Sequence, residues 1–140
     1  MFLMPQLTVL LVFFAIVQDS RAAFQPQNKI ELEDAVDDWC SKQTQAFKQY
    51  GDISQWDTSL ITDMSGLFFN KIDCNADIAE WDTSSVIDMS NMFSKAQLFT
   101  LDIGGWNTSS VTDMSNMFNQ ASQFNTDISG WNTSGVTTMR

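Results

Sequence analysis

From Asp52 onward, one pattern of apolar and polar positions recurs at a fixed spacing of 25 residues. Each copy opens with a phrase of the form W-[DN]-T-S, and three of the copies continue to D-M-S. The tryptophans that mark the copies are Trp56, Trp81, Trp106 and Trp131. A fixed period of this size is typical of repeat proteins, in which each copy forms one coil that buries its apolar side chains against its neighbours. The spacing therefore predicts a repeat solenoid with these tryptophans in its structural core.

Within one coil the apolar positions follow neither a helical nor an alternating spacing, as expected of a chain that turns several corners. Val111–Met114 and the stretch around Ile128 are predicted to form short parallel strands. Ser115 and the six residues after it are predicted to form a short helix. The predicted fold class is thus an α/β repeat solenoid over residues 52–140, truncated in its last coil.

Ahead of the repeats, apolar residues recur at helical spacing from Ile30 to about Phe47. Acidic residues in the first turn and lysines near the end suit the helix dipole, and Gly51 is a typical stop signal. The first coil of a solenoid is exposed unless another element covers it, so this helix is predicted to cap the array. Residues 23–51 are therefore predicted to be an entry loop and an N-terminal capping helix.

Residues 1–22 are predicted to be a secretory signal peptide. An apolar run from Leu7 to Val17 precedes two small residues, Ser20 and Ala22, at the positions that a signal peptidase prefers. The run is too short for an ordinary membrane span, which favours a cleaved signal over the alternative, an uncleaved anchor. We therefore expect a secreted or cell-surface protein that contacts a membrane only through an anchor outside this sequence.

Charge and composition make several classes of function unexpected for this chain. The chain has 17 acidic and 7 basic side chains, a net charge of −10, so nucleic acids and anionic membranes are not expected partners. It contains no histidine, which removes the common nucleophile–base pairs of enzymes, and no glycine-rich phosphate loop. We expect no catalytic residue, no cofactor and no metal site, and hence a protein that is not an enzyme.

The two cysteines, Cys40 and Cys74, are a candidate disulfide. They are too few for a four-ligand zinc site in a chain without histidine, and an oxidising compartment favours a bridge. Cys74 stands where later coils have Phe99 and Phe124, which predicts that it points inward, in a coil next to the segment that holds Cys40. The alternative is a pair of buried free thiols that pack as small apolar groups.

Aspartates and threonines recur in columns along the repeat. The aspartates are Asp52, Asp77, Asp102 and Asp127 in one column and Asp63, Asp88 and Asp113 in another; the main threonine column is Thr58, Thr83, Thr108 and Thr133. Backbone-bonding, structural roles are the favoured interpretation of both residue types. Calcium binding by the aspartates and ice binding by the threonines are the alternatives.

Two N-glycosylation sequons begin at Asn107 and Asn132, in the turn position that Asp57 and Asp82 occupy in earlier coils. Either the two asparagines carry glycans, or they do the same turn-forming work as the aspartates. Both remain glycosylation candidates.

The phrases W-[DN]-T-S-x-V-T-D-M-S-x-M-F and F-N-x-D-I-S-x-W resemble those of the BspA-like leucine-rich-repeat surface proteins. The resemblance covers about residues 47–140, and the AVDDWC stretch ahead of it looks like the capping helix often found before such arrays. It implies a leucine-rich-repeat-like solenoid of right-handed coils, displayed at the cell surface or secreted, with adhesion or ligand binding as the usual role. It carries over no catalytic residue.

These observations lead to an expected function in non-catalytic binding of an extracellular protein or glycan. The alternatives are an ice- or calcium-binding solenoid and a passive spacer within a larger surface protein. The best candidates for partner contacts are positions that differ between coils: Leu60, Ser85, Ser110, Gly135, Gly66, Asn91 and Asn116. Because the array stops inside a coil, we also expect a fragment of a longer chain, or self-association through the uncapped C-terminal coil.

Overall fold

The computed structural model describes residues 22–139. Apart from Ala22, the predicted signal peptide lies outside the described residues, and so does Arg140. Across the described part of the chain, no helix combines the length and the apolar character needed to cross a membrane.

The capping segment is one α-helix, α1 (Lys29–Tyr50), slightly longer than the sequence predicts. The Asn28 side chain accepts a hydrogen bond from the backbone N–H of Glu31 and so caps its start. Gly51, with a positive φ of 76°, ends it. The backbone leaves helical geometry at Lys42, where the helix kinks. Its buried face consists of Leu32, Ala35, Val36, Trp39 and Ala46, whereas Phe47 is exposed.

The predicted α/β repeat solenoid, with leucine-rich-repeat-like right-handed coils of short strands and short helices, is wrong. Within residues 22–139, the only regular element after α1 is a three-residue 3-10 helix, Ile53–Gln55. The coils form no sheet there, and parallel β pairing is confined to isolated bridges between successive coils. The bridges join Asp63 to Asp88, Asp88 to Asp113, and Asp113 to Thr138.

The strand prediction fails because the chain turns immediately after each bridge. The carboxylate of Asp113 accepts a hydrogen bond from the backbone N–H of Ser115, two residues on, at 2.8 Å, and this closes a turn. One bridging residue per coil is too short a stretch to make a strand. No bridge forms at Ile128, the other predicted strand.

The predicted helix at Ser115 is instead a series of tight turns. Asn116 and Gln120 both have positive φ, 54° and 62°, and residues in this left-handed region cannot continue a right-handed helix. The same two places are left-handed in the preceding coil, at Asn91 and Lys95.

Backbone hydrogen bonds in these turns alternate between two directions. In the first coil, alternate N–H groups donate to carbonyl oxygens of the next coil: those of Met64, Gly66, Phe68 and Asn70. The intervening N–H groups donate three residues back within the same coil: those of Leu67, Phe69 and Lys71. The stack is therefore held by bonds between coils rather than by a helix or a sheet.

The core is a set of aromatic columns that run along the stack. Trp56 and Trp81 stack with ring centroids 6.2 Å apart, and Phe93 and Phe118 stack at 5.7 Å. The tryptophans at 56, 81 and 106 are buried, as the sequence predicts, whereas Trp131 is half-buried. These stacked rings provide apolar contacts between successive coils, which have no helices or sheets to pack against one another.

A disulfide between Cys40 and Cys74 joins α1 to the first coil, with Cα atoms 5.2 Å apart. Cys74 is buried in the column that continues through Phe99 and Phe124, and these two rings lie 6.2 Å apart. Ion pairs add to this junction: Lys71 contacts Asp37, and Lys29 Nζ lies 3.2 Å from Asp63. The helix is thus fixed against the first coil both covalently and by packing.

Candidate functional site

The repeated tryptophans and threonines hold successive coils together. The indole Nε1 of Trp81 donates to the carbonyl oxygen of Ile53 in the preceding coil at 2.8 Å, and Trp106 and Trp131 repeat this bond. The hydroxyl of Thr58 donates forward to the carbonyl oxygen of Asp82 at 2.9 Å, and buried threonines repeat it at Thr83 and Thr108. These threonines are buried and bonded, so they cannot present hydroxyls to ice or to any other external surface.

The aspartate columns close turns. In both columns, a carboxylate oxygen accepts a bond from the backbone N–H two residues on, as Asp102 does from Gly104 at 2.9 Å. At Asp127, the backbone N–H and the hydroxyl of Ser129 both donate to the carboxylate. These bonds favour the ionised form, so the pKa of Asp127 lies below its usual value. Within residues 22–139, no group of three or more His, Cys, Asp or Glu side chains is placed to hold a metal ion.

Asp57, Asp82, Asn107 and Asn132 form a third column of the same kind. The Asn107 side-chain oxygen accepts bonds from both the backbone N–H and the hydroxyl of Ser109, at 3.1 and 2.7 Å. Asn132 accepts from the N–H of Ser134 at 3.0 Å. Both asparagines are exposed, so turn formation and an accessible glycosylation sequon coexist at the same residues.

Three of the predicted contact positions have a backbone role. Gly66, Asn91 and Asn116 all have positive φ, at 68°, 57° and 54°. Glycine and asparagine tolerate this conformation best, which explains why only these two residue types occur there. Their variation between coils is therefore no evidence of a partner.

The remaining predicted contacts lie on one exposed edge of the stack. We call this the variable edge and define it by two columns: Leu60, Ser85, Ser110 and Gly135, and Thr62, Ile87, Thr112 and Thr137. Between the two columns runs a buried apolar column that includes Ile61 and Val86. The edge is continuous across coils, because the backbone N–H of Ile87 donates to the carbonyl oxygen of Thr62 at 2.7 Å.

Two apolar side chains stand out on the variable edge. Leu60 and Ile87 are each 49% exposed, in adjacent coils, among neighbours that are small or carry hydroxyls. Ile87 was not among the predicted contacts, although its replacement of a repeat threonine was a signal in the sequence. The edge has hydroxyls for hydrogen bonding and two exposed apolar side chains, but it has no pair of groups arranged for proton transfer.

The chain belongs to a family described as Mycoplasma protein of unknown function, DUF285, which it matches over residues 37–140. The match includes most of α1 and all the coils. No curated protein and no solved structure matches the chain.

Proposed function

We propose that the chain is a secreted or cell-surface protein of the BspA-like kind that binds an extracellular protein or glycan through its variable edge, without catalysis. The observation that carries this proposal is the pair of exposed apolar side chains on the variable edge, Leu60 and Ile87. Recurring polar side chains bond to the backbone of their own or a neighbouring coil, and so do the hydroxyls of Ser110, Thr112 and Thr137 on the edge itself. The side chains of Leu60 and Ile87 form no such bond, and exposed positions without a structural role are where binding residues are expected in a repeat protein.

The apolar pair on the edge supports recognition rather than a passive spacer role. A spacer needs only solubility, which the net charge of −10 supplies. Leu60 and Ile87 are half exposed where other coils have serine, glycine or threonine, so their apolar area lies open to solvent. Apolar side chains surrounded by polar neighbours are typical of the centre of a binding patch.

The repeat itself supplies the variant for the test. Replacing Leu60 by Ser and Ile87 by Thr gives each position the residue found in another coil, so we expect the double variant to keep the fold. We would compare it with the wild-type chain on a glycan panel and on purified extracellular-matrix proteins. A ligand that binds the wild type and loses at least about tenfold in affinity for the double variant supports the proposal.

The matched control is Leu98→Gln. Leu98 is 42% exposed, similar to the edge residues, and the next coil has Gln123 at the same place. This variant also removes one exposed apolar side chain, but away from the variable edge. If the control weakens binding as much as the double variant, or if no ligand binds the wild type, the proposal is wrong.

A further inference from the structure

Four aspartates flank the exposed apolar side chains of the variable edge along the chain. They are Asp57 and Asp63 around Leu60 in the first coil, and Asp82 and Asp88 around Ile87 in the second. The two coils lie side by side here, since a parallel bridge joins Asp63 to Asp88. Because paired backbones lie about 5 Å apart, these six residues form one surface, which we call the acid-flanked patch.

This combination of acidic and apolar side chains is confined to the first two coils. In the third coil, Asn107 replaces one aspartate, and small hydroxyl residues, Ser110 and Thr112, occupy both variable positions. In the fourth coil, Asn132 and Thr138 replace both aspartates. Acidic and apolar side chains therefore occur together on one part of the edge, and both glycosylation candidates lie outside it.

The two aspartates of the second coil are free of ion pairs. Asp82 is exposed and Asp88 is half-buried, and in each the Oδ1 atom accepts the backbone N–H two residues on, at 2.9 and 2.8 Å. Within residues 22–139, neither carboxylate is paired with a lysine, whereas Asp63 in the first coil lies 3.2 Å from Lys29 Nζ. Uncompensated negative charge therefore lies on both sides of Ile87.

The variable edge lacks the aromatic rings and side-chain amides that commonly contact sugar rings. Neither of its two columns contains such a group or a positive charge. The hydroxyls of Ser110, Thr112 and Thr137 already donate to backbone carbonyl oxygens within the stack. The acid-flanked patch thus offers aliphatic surface between carboxylates, which suits a partner with an apolar side chain and positive charge.

We infer that the partner of the variable edge is a protein, which places a large apolar side chain against Leu60 and Ile87 and lysine or arginine side chains against the flanking aspartates. This inference rests on the proposed function and narrows its ligand from a protein or glycan to an apolar, basic protein segment. Apolar contact supplies affinity at the centre of such an interface, and charge pairs at its rim supply specificity and speed association.

The test uses the full isotope-labelled chain and NMR of its isoleucine methyl groups. The Ile87 signal is assigned by its absence from the Ile87→Thr variant. Three capped peptides are titrated, each with a central phenylalanine that is flanked two residues away on both sides by lysine, glutamine or glutamate. We expect the lysine peptide to shift the Ile87 signal with saturation and the glutamine peptide to bind about 3- to 10-fold more weakly. The glutamate peptide should bind most weakly, and added salt should weaken only the lysine peptide.

Two variants with equal loss of charge localise the effect. The Asp82→Asn, Asp88→Asn variant removes both carboxylates beside Ile87 and should weaken binding of the lysine peptide by about 3- to 10-fold. The Asp77→Asn, Asp102→Asn variant is the matched control, because these aspartates close turns of the same kind outside the variable edge. It should stay within about twofold of the wild type. All proteins are produced in bacteria without N-glycans, because the first variant creates two sequons.

The inference is wrong if the control weakens the lysine peptide as much as the other variant does, since that would indicate a general attraction to an acidic chain. It is also wrong if the lysine peptide leaves the Ile87 signal in place or binds no better than the glutamine peptide. That result overturns only this inference, because the proposed function is judged on its own panel of glycans and matrix proteins.

Methyl glycosides of glucose, galactose, mannose and N-acetylglucosamine are titrated in parallel. If a glycoside shifts the Ile87 signal and no peptide does, the partner is a glycan, which overturns the inference but supports the proposed function. These titrations use the wild-type chain, so they decide the question even if a variant does not fold.

Discussion

The indole Nε1 of Trp106 donates to the carbonyl oxygen of Ile78, in the coil before it, at 3.1 Å. Both groups are buried, so the bond satisfies a donor and an acceptor that have no access to water. The ring of Trp106 stacks on that of Trp131 at 6.4 Å in the opposite direction along the array. One side chain thus links three successive coils.

This bond makes Trp106→Phe more damaging than Trp56→Phe. Both variants lose the same ring atoms, but only Trp106→Phe removes a hydrogen bond, since Trp56 Nε1 has no partner. The Ile78 carbonyl oxygen then keeps only the bond from the backbone N–H of Trp81, at 3.2 Å. We expect Trp106→Phe to lower the free energy of unfolding by about 1–2 kcal/mol more than Trp56→Phe. Urea unfolding followed by circular dichroism measures both. Equal losses would mean that the indole bond contributes nothing to stability.

Gly104 and Gly105 are neighbours with opposite tolerance for a side chain. A Cβ atom at Gly104 would lie 2.4 Å from the backbone carbonyl oxygen of Asp127, whereas one at Gly105 would meet nothing within 4 Å. Gly104→Ala should therefore lower the free energy of unfolding by about 1–3 kcal/mol, because the next coil must move.

Gly105→Ala is the matched control, and it should stay within about 0.5 kcal/mol of the wild type. Both variants are measured by thermal and urea unfolding. A Gly104→Ala protein as stable as the Gly105→Ala protein would show that the coil spacing adjusts freely at this place.

Reduction of the Cys40–Cys74 disulfide should destabilise the whole array. The bridge closes a loop with a sequence separation of 34 residues, for which the chain-entropy relation gives roughly 3–4 kcal/mol. We expect a reductant to lower the urea midpoint of the wild type. The double variant Cys40→Ser, Cys74→Ala should have the lower midpoint from the start and should not respond to reductant. A reductant effect of equal size in both would rule out the disulfide as the cause.

The lowered pKa of Asp63 predicts that the folded protein loses stability in acid. Partial burial raises the pKa of Asp63, but hydrogen bonds from Ser65 and Lys29, with the lysine charge, outweigh it, and the pKa lies below the ordinary value of 3.8. A carboxyl whose pKa is lower in the folded state stabilises folding above about pH 4, its unfolded-state pKa. That contribution is lost as the pH falls through the folded-state pKa.

Asp63→Asn tests this dependence, because asparagine can close a turn of the same kind, as Asn107 does at another position of the repeat, but it does not titrate. We expect the free energy of unfolding of the variant to fall less steeply than that of the wild type as the pH drops below about 4. High salt should reduce the difference by screening the Lys29 pair, which is partly exposed. Parallel acid profiles for the two proteins would argue against a role for Asp63.

The sequence predicted structural features correctly where the same residue type recurs in successive coils because each copy makes the same contact. The buried tryptophans, the position of α1 and the inward place of Cys74 all followed from the fixed period and from comparing one coil with the next. The turn-forming aspartates followed from the same comparison.

Secondary structure within the coils did not follow from the sequence. The residues after Asp113 include the helix formers Met117 and Ala121, yet left-handed backbone at Asn116 and Gln120 prevents a helix. Such conformations are unfavourable locally for most residues, and here hydrogen bonds with the preceding coil offset them. The carbonyl oxygens of Ser115, Met117 and Asn119 accept from backbone N–H groups of that coil. Because those bonds join residues about 24 positions apart, no local window contains them.

The sequence by itself therefore determined that this protein is a stack of 25-residue coils, with a helix ahead of it and tryptophans inside it. Only the tertiary structure decided that the coils consist of turns, that Gly66 and Asn91 serve the backbone, and that Trp56 lacks the acceptor its counterparts have. The physical reason is the same in each case. The repeat period indicates which side chains are buried. The hydrogen-bond acceptor of a backbone or indole N–H depends instead on which coil lies beside it.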